Sequence, residues 1–272
     1  MKAAPKAAVI QMNSGDDVAA NLAQAEALLA QAAGEGAVLA ALPENFAFMG
    51  AKERDKLAHA EADGEGRIQH WLAATAKRLG LWIVAGTLPI AAPDGRVYAA
   101  CSVYDMEGHR AARYDKIHLF DVDVGHGEIY RESNSIAPGV ARPVAVDTPL
   151  GRLGLSVCYD LRFPELYRAL VADGCTLLSV PAAFTAKTGA VHWHTLLKAR
   201  AVENLCYVLA PGQCGKHPGG RNTWGHSLIL DPWGDTLAEV HGEAPAIAVA
   251  ILDPNHLDAI RQRFPALSHR RL

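Results

Sequence analysis

Cysteine is sparse and unpaired in this chain of 272 residues: Cys101, Cys158, Cys175, Cys206 and Cys214 are odd in number, scattered, and nowhere at CxxC spacing. A disulfide framework and a zinc site are therefore not expected, and free thiols fit a reducing cytoplasm. Excess positive charge is missing as well. With 26 Lys and Arg against 29 Asp and Glu the formal net charge is -3, which argues against nucleic acid or an anionic membrane as partner. No apolar run reaches the ~18 residues that a bilayer-spanning helix needs. The opening Met1-Lys2-Ala3-Ala4-Pro5 runs straight into Ala7-Ala8-Val9-Ile10-Gln11-Met12 with no separate h-region, so a signal peptide is not expected. Neither GxGxxG nor GxxxxGK(S/T) occurs, which removes the glycine-rich phosphate cradles, and the lack of GxSxG disfavours a serine hydrolase. His192 and His194 stand two apart in a helical stretch and point to different faces, so no metal centre is expected and no cofactor is suggested.

Apolar content and regular alternation are what the chain does have. Half of its residues are hydrophobic, enough for a substantial core. No repeat, low-complexity tract or linker divides it, so residues 1–272 read as one domain. A strand over 7–12 leads to a helix from about Asp17 to Ala33, capped by Asp16 and ended by Gly34, with Val18, Leu22, Ala25, Leu29 and Ala32 in one stripe. A strand over 37–42 follows, then helical patterns near 51–60 and 66–79 and a strand over 81–88. Residues 97–105 and 109–114 read as an antiparallel hairpin turned by Met106-Glu107-Gly108. The stretch 118–142 has little periodicity, and a loop that long is usually functional or mobile. A short strand near 143–147 precedes the run 152–157, and Pro164 fits the first turn of a helix ending at Asp173-Gly174. Strands over 175–180, 206–210, 227–230, 236–240 and 246–252, with helices near 190–203 and 254–264, complete the pattern. Strands so apolar need cover on both faces, so an α/β layered sandwich with helices outside is expected. Such helical outer faces commonly dimerise.

Chemistry concentrates at three abrupt element ends. Cys158 closes the run Arg152-Leu153-Gly154-Leu155-Ser156-Val157 and is followed at once by Tyr159-Asp160-Leu161-Arg162-Phe163-Pro164-Glu165. A thiol between a strand and a helix is expected to be exposed at the sheet edge, beside backbone N–H groups that can lower its pKa and hold an oxyanion. Its thiolate attacks carbonyl or nitrile carbon and divides one hard displacement into two easier ones. Cys101, Cys175 and Cys206 lie in apolar runs and should pack as small hydrophobes. Glu44 follows Leu42-Pro43, where burial would push its pKa up toward proton exchange near neutrality, although strand-Pro-Glu also describes a surface turn. Lys116 closes a strand in Tyr114-Asp115-Lys116-Ile117-His118. Buried, it would stabilise a tetrahedral oxyanion; alone, it also reads as a solvated lysine.

Taken in order, Leu42-Pro43-Glu44-Asn45-Phe46, Tyr114-Asp115-Lys116-Ile117-His118-Leu119-Phe120-Asp121 and the segment Val157 to Glu165 resemble the nitrilase superfamily of carbon–nitrogen hydrolases. The resemblance covers essentially the whole chain and implies a four-layer αββα sandwich with a Glu-Lys-Cys triad. It implies Cys158 as nucleophile, Glu44 as general base, and Lys116 as oxyanion stabiliser helped by the backbone N–H of Tyr159. Glu132, in Arg131-Glu132-Ser133-Asn134-Ser135, matches a second glutamate that positions substrate and lysine. Phe184 and Thr185 are implied as pocket lining.

Within the superfamily the likeness is greatest to amidases of deaminated glutathione, through Glu132-Ser133-Asn134-Ser135, Pro138-Gly139, the stretch Ala210 to His217, and His269-Arg270-Arg271. Omega-amidases share Trp224-Gly225-His226-Ser227. The implied substrate is a small-molecule amide bearing carboxylates, with deaminated glutathione cleaved to α-ketoglutarate and cysteinylglycine through a thioester. The alternative is α-ketoglutaramate, and a catalytically silent scaffold is the reading from another class. Arg162 would pair a substrate carboxylate or else form an ion pair with Asp160 or Glu165. Neither nucleic acid nor membrane enters this picture, and a homodimer or higher homo-oligomer is expected.

Overall fold

In the computed structural model, which describes residues 5–125 and 127–271, strand alternation splits most of the apolar residues between two large cores. β1 (Lys6–Gln11) leads through α1 (Val18–Gly34) to β2 (Ala37–Ala41), and α2 (Arg67–Leu79) precedes β3 (Trp82–Val84), β4 (Leu88–Ala91) and the hairpin β5 (Val97–Tyr104) with β6 (Arg110–Asp115). A small hairpin, β7 (Asp121–Asp123) and β8 (Ile129–Arg131), comes next. Then follow β9 (Ala145–Thr148), β10 (Gly151–Leu155), α3 (Pro164–Ala172), β11 (Leu177–Ser179), α4 (Ala186–Asn204) and β12 (Tyr207–Ala210). β13 (Cys214–Lys216) pairs with β14 (Asn222–Trp224); β15 (Leu228–Leu230), β16 (Thr236–Glu239), β17 (Ala246–Ile251) and α5 (Pro254–Arg263) complete the order.

One sheet runs β17-β1-β2-β3-β5-β4, with β6 also paired to β5, and the other runs β16-β15-β12-β11-β10-β9. Successive side chains of a strand face opposite ways. Ala7 and Val9 of β1 and Leu39 and Ala41 of β2 therefore share a core with Leu153 and Leu155 of β10, between the sheets. Their neighbours Ala8, Ile10 and Ala40 pack with Leu22, Ala25 and Leu29 of α1 and with Ile68 and Leu72 of α2. On the far side Leu166 and Leu170 of α3 and Trp193 and Leu197 of α4 cover the second sheet. The result is the expected four-layer αββα sandwich. Each fully buried Leu or Ile contributes about 1.5–3 kcal/mol of transfer free energy, so the layers are held chiefly by this burial.

Several local expectations are corrected. Asp17, not Asp16, caps α1, accepting from the Ala19 and Ala20 N–H groups at 2.8 and 3.1 Å. The helix near 51–60 is only a 3₁₀ turn over Asp55–His59. The run 81–88 is two strands, because Gly86 sits at φ +50 with Pro43 O only 1.9 Å from where a Cβ would be. α4 starts at Ala186 rather than near 190, capped by the Thr185 side chain. The stretch 118–142 holds β7, β8 and a 3₁₀ turn over Glu132–Asn134. Met1 to Ala4, part of the signal-peptide reading, lie outside the described residues. Among the described residues, no helix is long and apolar enough to cross a membrane.

Candidate active site

Beyond β10 the chain stays extended through Val157 and then reverses at Cys158, whose φ of +47 lies in the left-handed region. A non-glycine residue held there stores about 1–3 kcal/mol and persists only when its surroundings over-determine it. Here they do. The Cys158 N–H donates to Pro181 O at 2.9 Å. The fully buried Asp160 carboxylate accepts from the Val157 N–H at 2.8 Å, the Tyr114 hydroxyl at 2.7 Å and the His118 Nδ1–H at 2.7 Å.

This placement corrects the expectation of an exposed thiol at a sheet edge. β10 lies between β9 and β11, and Cys158 is only 7% exposed. Nor is its pKa lowered. Burial, reinforced by the Glu44 charge, pushes the thiol well above its ordinary value. In the resting site the sulfur keeps its proton.

Glu44 reaches the same cleft from the end of β2, held by a backbone turn in which Asn45 has φ +59 and donates its N–H to Thr87 Oγ1 at 2.9 Å. Lys116 leaves β6, and its ammonium lies 2.9 Å from Glu44 Oε1 and 2.9 Å from each oxygen of Glu132. Glu44 Oε2 accepts the Ala183 N–H at 2.8 Å, and Glu132 Oε2 accepts the Phe120 N–H at 2.6 Å. All three side chains are buried, so these charges compensate one another. Burial alone would raise the Glu44 carboxyl, as its sequence setting suggests. The Lys116 ammonium, with Arg221 behind it, outweighs that and holds Glu44 below the usual carboxylate range. Burial pulls Lys116 down, but Glu132 and Glu44 carry it well above its ordinary value. The cleft thus joins a protonated thiol, an ionised carboxylate that can accept its proton, and a fixed cation.

Tyr159, Phe184 and Thr185 line this cleft of about 450 Å³. Arg162 is brought close but does not line it. Its guanidinium lies over the Tyr159 and Phe184 rings, 5.8 and 5.3 Å from their centroids, and 3.4 Å from His192 Nδ1. The suggested pairing with Asp160 or Glu165 does not form, since Asp160 is occupied by Tyr114, His118 and Val157.

Sequence reasoning missed Arg221, Lys56 and Glu53, which line the cleft as well. No motif marks Gly219-Gly220-Arg221, and only the long-range placement of β14 beside α4 brings it to the cleft. Cys101, Cys175 and Cys206 are fully buried, as expected of packing residues. Cys214 is buried too and does not line the cleft; its thiol faces Glu243 O at 3.2 Å. Away from Cys158, His194 and His226 both meet Glu239 Oε1, at 3.0 and 2.8 Å, and the three ligand atoms lie within 4.8 Å of one another. That trio could hold a cation, although both distances are those of hydrogen bonds to one shared oxygen.

A sandwich whose inner cleft joins a buried thiol, a carboxylate and an ammonium has the layout of a nitrilase-type hydrolase. The model of the carbon–nitrogen hydrolase family matches residues 6–262. A deaminated glutathione amidase of Synechocystis sp. is 46% identical over 267 residues, covering 97% of this chain and 97% of that protein. Saccharomyces cerevisiae Nit3, a member of branch 10 of the nitrilase superfamily, superposes with a TM-score of 0.88 at 30% identity, covering 98% and 97% of the two chains. The Caenorhabditis elegans NitFhit protein superposes with a TM-score of 0.91 at 37% identity, over 98% of this chain and 65% of that longer one. The chain belongs to the carbon–nitrogen hydrolase family, and it is a hydrolase acting on amides.

Proposed function

We propose that this chain hydrolyses the amide of deaminated glutathione to α-ketoglutarate and cysteinylglycine. The observation that carries the reading is the meeting of Cys158 with the Glu44–Lys116–Glu132 charge network in one buried cleft. Its 46% identity along nearly the whole chain to a deaminated glutathione amidase supports the substrate.

The chemistry follows from the resting protonation states. As the sulfur of Cys158 attacks the amide carbon, its proton passes to ionised Glu44, so no free thiolate has to persist in a buried site. Lys116 and the backbone N–H of Tyr159 hold the oxyanion that forms, a contribution of about 10²–10³ in kcat for such a donor. Glu44 then returns the proton to the departing amine, leaving a thioester. Water loses a proton to Glu44, attacks the thioester, and releases the acid with the thiol restored. Glu132 keeps the ammonium in register, since both of its oxygens bind Lys116. Arg162, just behind the wall formed by Tyr159 and Phe184 and with no carboxylate partner among the described residues, is the cation assigned to the carboxylate of the acyl part. Thr185 completes the wall on that side.

Residues 1–272 acting as one domain, a cytoplasmic setting and a homo-oligomer belong to the same proposal, and mass measurement in solution tests the last. The test of substrate is paired kinetics on deaminated glutathione and α-ketoglutaramate. A much higher kcat/KM on deaminated glutathione is expected. Turnover of α-ketoglutaramate greatly exceeding it would overturn the assignment.

A further inference from the structure

The cleft at Cys158 opens into a second, wider groove of about 980 Å³, and Asn45, Glu53, Lys56, Tyr130 and Arg221 border both. One carboxylate already sits at this junction. Glu53 lies 3.2 Å from Lys56 Nζ and 3.7 Å from Arg221 Nη1, next to the Tyr130 ring over which the Arg221 guanidinium stacks at 5.2 Å. The Arg221 contact is looser than a hydrogen bond, and the buried Nε of Arg221 has no hydrogen-bond partner among the described residues. Arg221 itself is anchored, since its Nη2 donates at 2.8 Å to the carbonyl of Ala183, whose N–H binds Glu44. Lys56 and Arg221 therefore both face the Glu53 carboxylate, carried on a partly exposed loop side chain where cleft and groove share their lining, and Arg221 also feels the charge of Glu44.

We infer that Lys56 and Arg221 form a subsite for the terminal carboxylate of a peptidyl amine leaving group, and that Glu53 occupies it in the free protein and yields it on binding. This rests on the amidase reading above and extends it to the other end of the substrate. Arg162 lies against Tyr159 and Phe184, so the acyl carboxylate and the leaving-group carboxylate fall to separate cations. A dipeptidyl amine extends about 7 Å beyond the scissile nitrogen, whereas ammonia, the leaving group of a primary amide, reaches nothing in the groove. The subsite would thus distinguish a dipeptidyl amide from a primary amide with the same acyl group.

The test compares three amides sharing the α-ketoglutaryl group, which release cysteinylglycine, the carboxamide of cysteinylglycine, or ammonia. For the wild type, masking the terminal carboxylate should raise KM about tenfold, the scale of a partly exposed charge contact. Lys56→Met should raise KM for the free-carboxylate substrate by a similar factor, about tenfold, while changing KM for the carboxamide less than about twofold. Glu53→Gln should lower KM for the free-carboxylate substrate, because the competing charge is gone. Equal KM shifts on all three amides, or a wild type indifferent to the masked carboxylate, would overturn the subsite. Hydrolysis of the ammonia-releasing amide alone would instead overturn the substrate reading, and the subsite with it.

Discussion

Asp160 Oδ2 accepts the backbone N–H of Val157 at 2.8 Å, so the second residue after the thiol clamps the residue before it. Tyr114 and His118 bind the same carboxylate and tie the turn to the end of β6, the strand from which Lys116 emerges. Asp160→Ala strands these buried donors and should cost about 2–4 kcal/mol of stability, with kcat falling further than stability alone explains. Tyr114→Phe removes one bond of the set and should cost about 1–1.5 kcal/mol. Urea unfolding beside steady-state kinetics checks both. An Asp160→Ala variant as stable and active as the wild type would contradict the clamp.

Lys116 is the hub of the buried charges. Lys116→Met leaves Glu44 and Glu132 without the cation between them, and should destabilise the fold by about 3–5 kcal/mol as well as abolish turnover. Glu132→Gln keeps an acceptor for Lys116 and for the Phe120 N–H. It should spare most of the stability yet lower kcat by about 10², the scale of a small misplacement of a catalytic group. Thermal unfolding measured beside kcat separates the two variants, and equal stability losses in both would count against this division.

The pH profile follows from the signs of the shifts. Glu44 is held below the usual carboxylate range, whereas Cys158 and Lys116 are pushed above their ordinary values. The reactive combination is ionised Glu44 with protonated Cys158 and Lys116. kcat/KM should therefore be flat from about pH 5 to pH 8, falling only in stronger acid or alkali. The charged pair of Glu44 contributes stability that is present above about pH 4.3, its unfolded value, and is lost as pH falls through the lower folded one. A bell centred near neutrality with steep sides would contradict these protonation states.

Gly189 shows how α4 meets the hairpin that carries Arg221. A Cβ on Gly189 would lie 2.3 Å from the Cβ of Trp224, which belongs to the backbone-anchored β14 rather than to a flexible tip. Gly189→Ala should destabilise by about 1–3 kcal/mol through overpacking. Differential scanning calorimetry checks this, and an unchanged melting temperature would contradict such close packing.

Periodicity made most of the layers legible, because a stripe such as Leu22, Ala25 and Leu29 or an alternation such as Ala7/Val9 against Ala8/Ile10 records directly which face is buried. It failed where backbone geometry rather than side-chain pattern decides. The apolar run 81–88 carries no mark of the reversal at Gly86, and 51–60 looks helical although only Asp55–His59 completes a turn. Cys158, Glu44 and Lys116 were readable as candidates because each stands at an abrupt element end, and Glu132 only through the family resemblance; the fold brings all four to one cleft. Their protonation states were not readable. Burial acts on Glu44 as its setting suggests, but the direction is reversed by Lys116 from a distant strand. Arg221 escaped for the same reason: its neighbours Ala183, Glu53 and Tyr130 are far from it in sequence.

Cys158 carries the acyl group in the proposed reaction. Mixing the protein with deaminated glutathione, quenching in acid within the first turnover and mapping peptides by mass spectrometry tests it directly. An α-ketoglutaryl thioester is expected on the peptide containing Cys158, absent from a folded Cys158→Ala protein that no longer turns over. Continued turnover by Cys158→Ala, or an adduct on Cys101, Cys175, Cys206 or Cys214 instead, would contradict it.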